Sequence, residues 1–150
     1  MKKALKILCL LILVSGFNGV QAQVGINTVM PLSTLDVNGN ISVKTIGIPI
    51  PFNGGSAGNA TQINDGVYIS LTPAAGSAEF ILPNPVTVPG RIYFLRNISN
   101  SIEATIYTFG GQFFAKNSNT ATAQPLIMPA NALVKTIIVI SDGINWTYFF

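Results

Sequence analysis

The densest apolar pattern in the chain is its last stretch, LVKTIIVISDGINWTYFF over residues 133–150. Val134 to Ile140 is a β-branched run broken only by Lys135, and Trp146 to Phe150 carries four aromatics. Asp142-Gly143 between them tolerates positive φ, so the stretch predicts a terminal β-hairpin. Ile137 and Val139 fall on one face of its first arm, Ile138 and Ile140 on the other. Both faces are apolar, which predicts cover on both sides, as in a sandwich centre, a barrel wall or a subunit interface.

Upstream, short β-rich runs alternate with turn clusters at the spacing of an all-β domain. Strands are expected at Val67–Leu71, Phe80–Leu82, Arg91–Asn97 and Ala104–Phe109, the last turning at Gly110-Gly111 into Gln112–Ala115. Lys116–Ala123 reads as a polar loop, and Gln124–Met128 as an edge strand, since Pro125 and Pro129 restrict pairing. Near the start, Leu35–Val37 and Ile41–Val43 flank Asn38-Gly39, a strong hairpin signal. Ile41–Ile48 continues as a strand up to Pro49-Ile50-Pro51. The expected organisation is an N-terminal β motif over 23–48, a Gly/Pro-rich linker over 49–61 and a β-domain over 62–150. No helical period appears after the first 22 residues. The predicted fold class is all-β: a small antiparallel β-sandwich or jelly-roll-like domain after a short β motif.

Residues 1–22 read as a signal peptide. Met1–Lys6 is basic, Ile7–Phe17 is apolar, and Val20-Gln21-Ala22 resembles a small-residue cleavage site. The apolar run falls short of the ~20 residues that span a bilayer. Cys9 lies within that run after Ile7-Leu8, which does not suit a lipoprotein site. An extracellular or cell-surface location is expected, with the periplasm as an alternative.

Removing that segment changes the charge argument. The precursor carries a formal charge of +3, but Lys2, Lys3 and Lys6 leave with the leader. Lys44, Arg91, Arg96, Lys116 and Lys135 then balance Asp36, Asp65, Glu79, Glu103 and Asp142. A neutral body without a basic cluster argues against nucleic acid, whose binding rests on phosphate neutralisation. With no His and its one Cys in the leader, the mature chain has no disulfide and no thiol or imidazole metal ligand. Hydrophobic residues make up 49% and charged residues 9%. That excess of apolar surface predicts a homo-oligomer.

No residue stands out as catalytic, cofactor-binding or metal-binding. Asp36 and Asp142 sit beside turns, where carboxylates accept backbone N–H bonds. Asp65, Glu79 and Glu103 remain as candidates for a glycosidase-like pair, with nothing to single them out. Asp36–Asn40 lacks the pattern of a calcium loop, and Asn53–Asn59 lacks the Gly-Lys-Ser/Thr of a phosphate loop. No serine sits in a nucleophile elbow. Candidate ligand-binding residues are Arg91, Tyr93, Tyr107, Trp146 and Tyr148. Arg91 beside Tyr93 or Tyr107 could face a glycan or an acidic protein partner, although strand-end charges also serve to block edge pairing. Trp146, Tyr148 and Phe150 share one face, expected to be core or interface, or a sugar-stacking platform where exposed.

Two stretches resemble known proteins. Val24-Gly25-Ile26-Asn27-Thr28, then Pro31, then Leu35-Asp36-Val37-Asn38-Gly39, resembles a motif of exported Bacteroidota surface proteins and phage tail-fibre-like proteins. Pro89-Gly90-Arg91-Ile92-Tyr93, with Ser141-Asp142-Gly143-Ile144-Asn145-Trp146, is similar to a small β-domain at the ends of such proteins. The resemblance implies a β-rich module, commonly trimeric, with a structural or adhesive role and no catalytic residues. The expected function is therefore an exported, non-enzymatic cell-surface module. A small outer-membrane β-barrel and a carbohydrate-binding module are the alternatives.

Overall fold

A computed structural model describes residues 24–26, 35–131 and 134–150 of the chain. The expected signal peptide, Pro31 and the Asp36 side chain lie outside the described residues. The chain divides into two units, Met1–Ser42 and Val43–Phe150.

In the first unit, β1 (Val24–Ile26) lies parallel to β2 (Leu35–Val37), with Val24 opposite Leu35. The Asn38 N–H donates to the Ile26 carbonyl at 3.0 Å. The hairpin expected around Asn38-Gly39 is not formed. Gly39 is absent from the glycines at positive φ, as a type I′ turn would require, and Ile41–Lys44 forms no strand.

The second unit is all-β. Its strands are β3 (Thr45–Ile46), β4 (Phe52–Asn53), β5 (Thr61–Gln62), β6 (Tyr68–Thr72), β7 (Glu79–Leu82) and β8 (Ile92–Asn97). They continue as β9 (Ala104–Thr108), β10 (Phe113–Ala115), β11 (Ala121–Thr122), β12 (Leu126–Met128), β13 (Thr136–Ser141) and β14 (Trp146–Phe149). Pro85–Thr87 adds a single 3-10 turn. The large sheet has eight strands in the order β11-β10-β14-β13-β8-β6-β3, with β4 also on β6; the small sheet has four, β12-β9-β7-β5. Both sheets are open, with β11, β3, β12 and β5 at their edges, so the described strands do not close into a barrel. Residues 49–61, expected as a linker, fall within this unit: Phe52 pairs with Leu71, and Thr61 with Phe80.

The sheets are mixed, where the sequence predicted antiparallel pairing. β3 and β4 run parallel to β6, β6 to β8, β10 to β14, β5 to β7 and β7 to β9. The cause is the path of the chain. From β5 to β10 consecutive strands alternate between the two sheets. β6, β7 and β8 thus each serve as the crossover joining two parallel neighbours of the opposite sheet. Gly110-Gly111, expected to close a hairpin, instead carries the chain from β9 in the small sheet to β10 in the large one.

The terminal hairpin forms as expected, with Ile138 opposite Phe149 and Ser141 opposite Trp146. Its turn is anchored by Asp142, whose Oδ1 accepts from the N–H groups of Ile144 at 2.8 Å and Asn145 at 2.6 Å. Strand alternation then sorts the side chains. Ile69, Leu71, Tyr93, Leu95, Ile137, Val139, Trp146 and Phe113 of the large sheet face Phe80, Leu82, Ala104, Ile106, Leu126 and Met128 of the small one in a single buried cluster. Buried Asn97 ties the layers together: from β8 its Nδ2 donates to the carbonyl of Met128 in β12 at 3.1 Å and to that of Ile102 at 2.9 Å.

Candidate functional site

Two surfaces of the sandwich remain once the core is assigned, and they differ in chemistry. The outer face of the large sheet is apolar. One cross-strand row runs Tyr68, Phe94, Ile138, Phe149, and the next runs Ile92, Ile140, Thr147, Phe114. Ile92 is 40% exposed, and the other seven are half-buried. Directly opposed aromatic and β-branched side chains of this kind stabilise a sheet. Neither row holds a charge; Arg96 stands one row further on, between Ser70 and Thr136. The cover expected over Ile138 and Ile140 is thus only partial, while Ile137 and Val139 are buried.

The outer face of the small sheet is mixed. Gln62, Ile81 and Tyr107 form one cross-strand row, and Glu79 and Thr105 pair in the next. Gln62, Glu79, Ile81 and Tyr107, with the 58–60 segment, Thr108 and Phe109, line an open cleft of about 490 Å³. The Glu79 carboxylate is held at both oxygens, accepting from the Gly58 N–H at 2.9 Å and from the Tyr107 hydroxyl at 3.3 Å. Burial and the neighbouring Glu79 carboxylate push the Tyr107 phenol above its ordinary range. Phe109 is 57% exposed. Tyr107 lies in β9 and Phe109 directly follows its last residue, and both line the cleft.

A separate apolar groove of about 270 Å³ lies between β12 and the terminal hairpin, lined by Leu126, Met128, Val134, Ile137, Tyr148 and Phe150 among others.

The structure does not bring the five ligand candidates together. The face shared by Trp146 and Tyr148 is the inner one: Trp146 is fully buried, and Tyr148 is 9% exposed with its hydroxyl 2.9 Å from Thr122 Oγ1. Tyr93 is also fully buried, its ring 5.8 Å from that of Trp146. Arg91 is exposed, with its guanidinium 5.9 Å from the Tyr93 ring. Tyr148 lines the apolar groove beside β12, and Tyr107 lines the cleft over the small sheet. Of the three remaining carboxylates, Glu79 lies beside Tyr107. Asp65 instead pairs with Lys44 at the surface, and that contact and the Gly66 N–H hold its pKa below the usual carboxylate value. Glu103 is exposed outside the cleft.

Phe109, Gln62 and Gly58 were not singled out by the sequence. Alternation along Ala104–Phe109 does place Tyr107 and Phe109 on one face, but the Glu79 contact depends on the parallel register of β7 and β9. Among the described residues no group of three or more His, Cys, Asp or Glu could hold a metal ion. No family model, curated protein or solved structure matches the chain.

Proposed function

We propose that the chain is an exported, non-enzymatic structural or adhesive module that works at the cell surface as a homo-oligomer. The observation that carries this reading is the apolar outer face of the large sheet, with Tyr68, Phe94, Ile138 and Phe149 in one uninterrupted row. A contiguous apolar patch of this kind marks an association surface. A second copy is the occupant that suits it. The mature chain has zero net charge, and the rows hold no charge that would select an acidic or basic partner. The leader-like residues 1–22 and the likeness to exported fibre proteins support the surface location and a trimer.

Light scattering on the purified mature chain tests the reading. The expected mass is three times that of the chain, falling to one chain in Phe94→Glu and Ile138→Lys with circular dichroism unchanged. Thr105→Lys, on the other outer face, should leave the assembly intact. A wild-type monomer at tens of micromolar would count against self-association.

A further inference from the structure

We infer that the cleft over β5, β7 and β9 is a binding site for a neutral glycan, with Glu79, Tyr107 and Phe109 as its principal contacts. The inference goes beyond self-association and rests on the opposite face of the sandwich.

The fixed carboxylate comes first. Glu79 is the one carboxylate lining the cleft, and both its oxygens are held by the Gly58 N–H and the Tyr107 hydroxyl. Each carboxylate oxygen has two acceptor positions, so each retains one after these bonds. The side chain is thereby a preset acceptor for donors entering the cleft, at little further cost in side-chain entropy. Asn59 and Gln62, also in the lining, add amide groups that both donate and accept. The Tyr107 hydroxyl accepts as well as donates.

The second component is apolar. Phe109 leaves more than half its surface in solvent, and Ile81 and the Tyr107 ring continue that surface toward β5. A ligand that complements this lining needs hydroxyl donors and acceptors at its rim and a C–H face to lie on aromatic rings. A pyranose has both. The volume is within the range of small-molecule sites, and its open form suits an internal segment of a longer chain.

The lining also excludes alternatives. It holds no Lys or Arg, so a phosphate, sulfate or sialic carboxylate would meet Glu79 without a counter-charge. With a single carboxylate it lacks the acid and base pair of ordinary glycoside hydrolysis, so the site binds without cleaving.

Titration calorimetry on the mature chain tests this with cellohexaose, maltohexaose, xylohexaose and mannohexaose, and with tetralysine as a cationic probe. At least one neutral hexasaccharide is expected to bind. Tyr107→Ala and Phe109→Ala should each weaken it tenfold or more, and Glu79→Gln at least fivefold, with melting temperature and tryptophan emission unchanged. Phe94→Glu should bind with wild-type affinity per chain even if it is monomeric, which separates failure of this inference from failure of self-association. Binding of none of the four sugars, binding indifferent to all three cleft variants, or salt-sensitive binding of tetralysine in their place would each overturn it.

Discussion

The Trp146 Nε1–H donates to Thr108 Oγ1 at 3.0 Å, joining β14 of the large sheet to β9 of the small one. The same hydroxyl donates to the Gly110 carbonyl at 2.7 Å, so one threonine satisfies a buried indole and pins the Gly110-Gly111 crossing. Thr108→Val strands the indole N–H in the core. The expected loss is about 1–3 kcal/mol, measured by urea unfolding and followed through the emission of the chain's single tryptophan. Thr108→Ser retains a hydroxyl and should lose clearly less. Equal losses in the two variants would assign the effect to packing.

Asn97 is fully buried, and its amide bonds join β8 to Met128 and Ile102 while its Oδ1 accepts from the Ser99 N–H at 2.9 Å. Asn97→Ala leaves these groups without partners, and a loss of about 3 kcal/mol is expected. Hydrogen exchange should rise first along β12, which pairs within its sheet only to β9. Unchanged protection there would contradict the bridging role.

Gly47 has φ +94° and passes close over β6: a Cβ built on it would lie 2.0 Å from the Ser70 carbonyl oxygen. Gly76 shares the positive φ, at +74°, but has open space around it. Gly47→Ala should therefore cost upwards of about 3 kcal/mol and Gly76→Ala about 1 kcal/mol. Similar melting temperatures for the two variants would show that the Gly47 crossing can relax.

Burial pushes the Tyr93 phenol above its ordinary value of 10.0, with the Arg91 guanidinium opposing the shift. As pH rises, the unfolded chain releases this proton before the folded one does. The folded state then binds more protons, and stability falls with increasing pH. The contribution is fully present below about pH 10 and declines above it. Tyr93→Phe should have a shallower fall in melting temperature between pH 9 and 11. Parallel curves would rule out Tyr93 as a source of alkaline sensitivity.

The sequence revealed individual elements better than their partners. The terminal hairpin was legible because its β-branched run, turn and aromatic return strand are local and adjacent. The edge position of β12 was legible from two prolines. Parallel pairing was not: Tyr68 finds Phe94 only after the chain has crossed to the small sheet and returned, and no local residue encodes that path. Asn38-Gly39 shows the converse, a strong local signal overridden when Leu35–Val37 pairs with β1 instead. At the candidate site Tyr107 could be noticed by type. Its contact with Glu79, 28 positions away, is set by strand register alone.

β14 follows every other strand of the second unit in chain order, yet it lies inside the large sheet, between β10 and β13. Until it docks, β10 and β11 have no seam to the remainder of that sheet, and Trp146 is missing from the core. Pairings this distant form slowly, because long loops must close before any contact rewards them. The large sheet of a nascent second unit therefore stays in two pieces until β14 has been made.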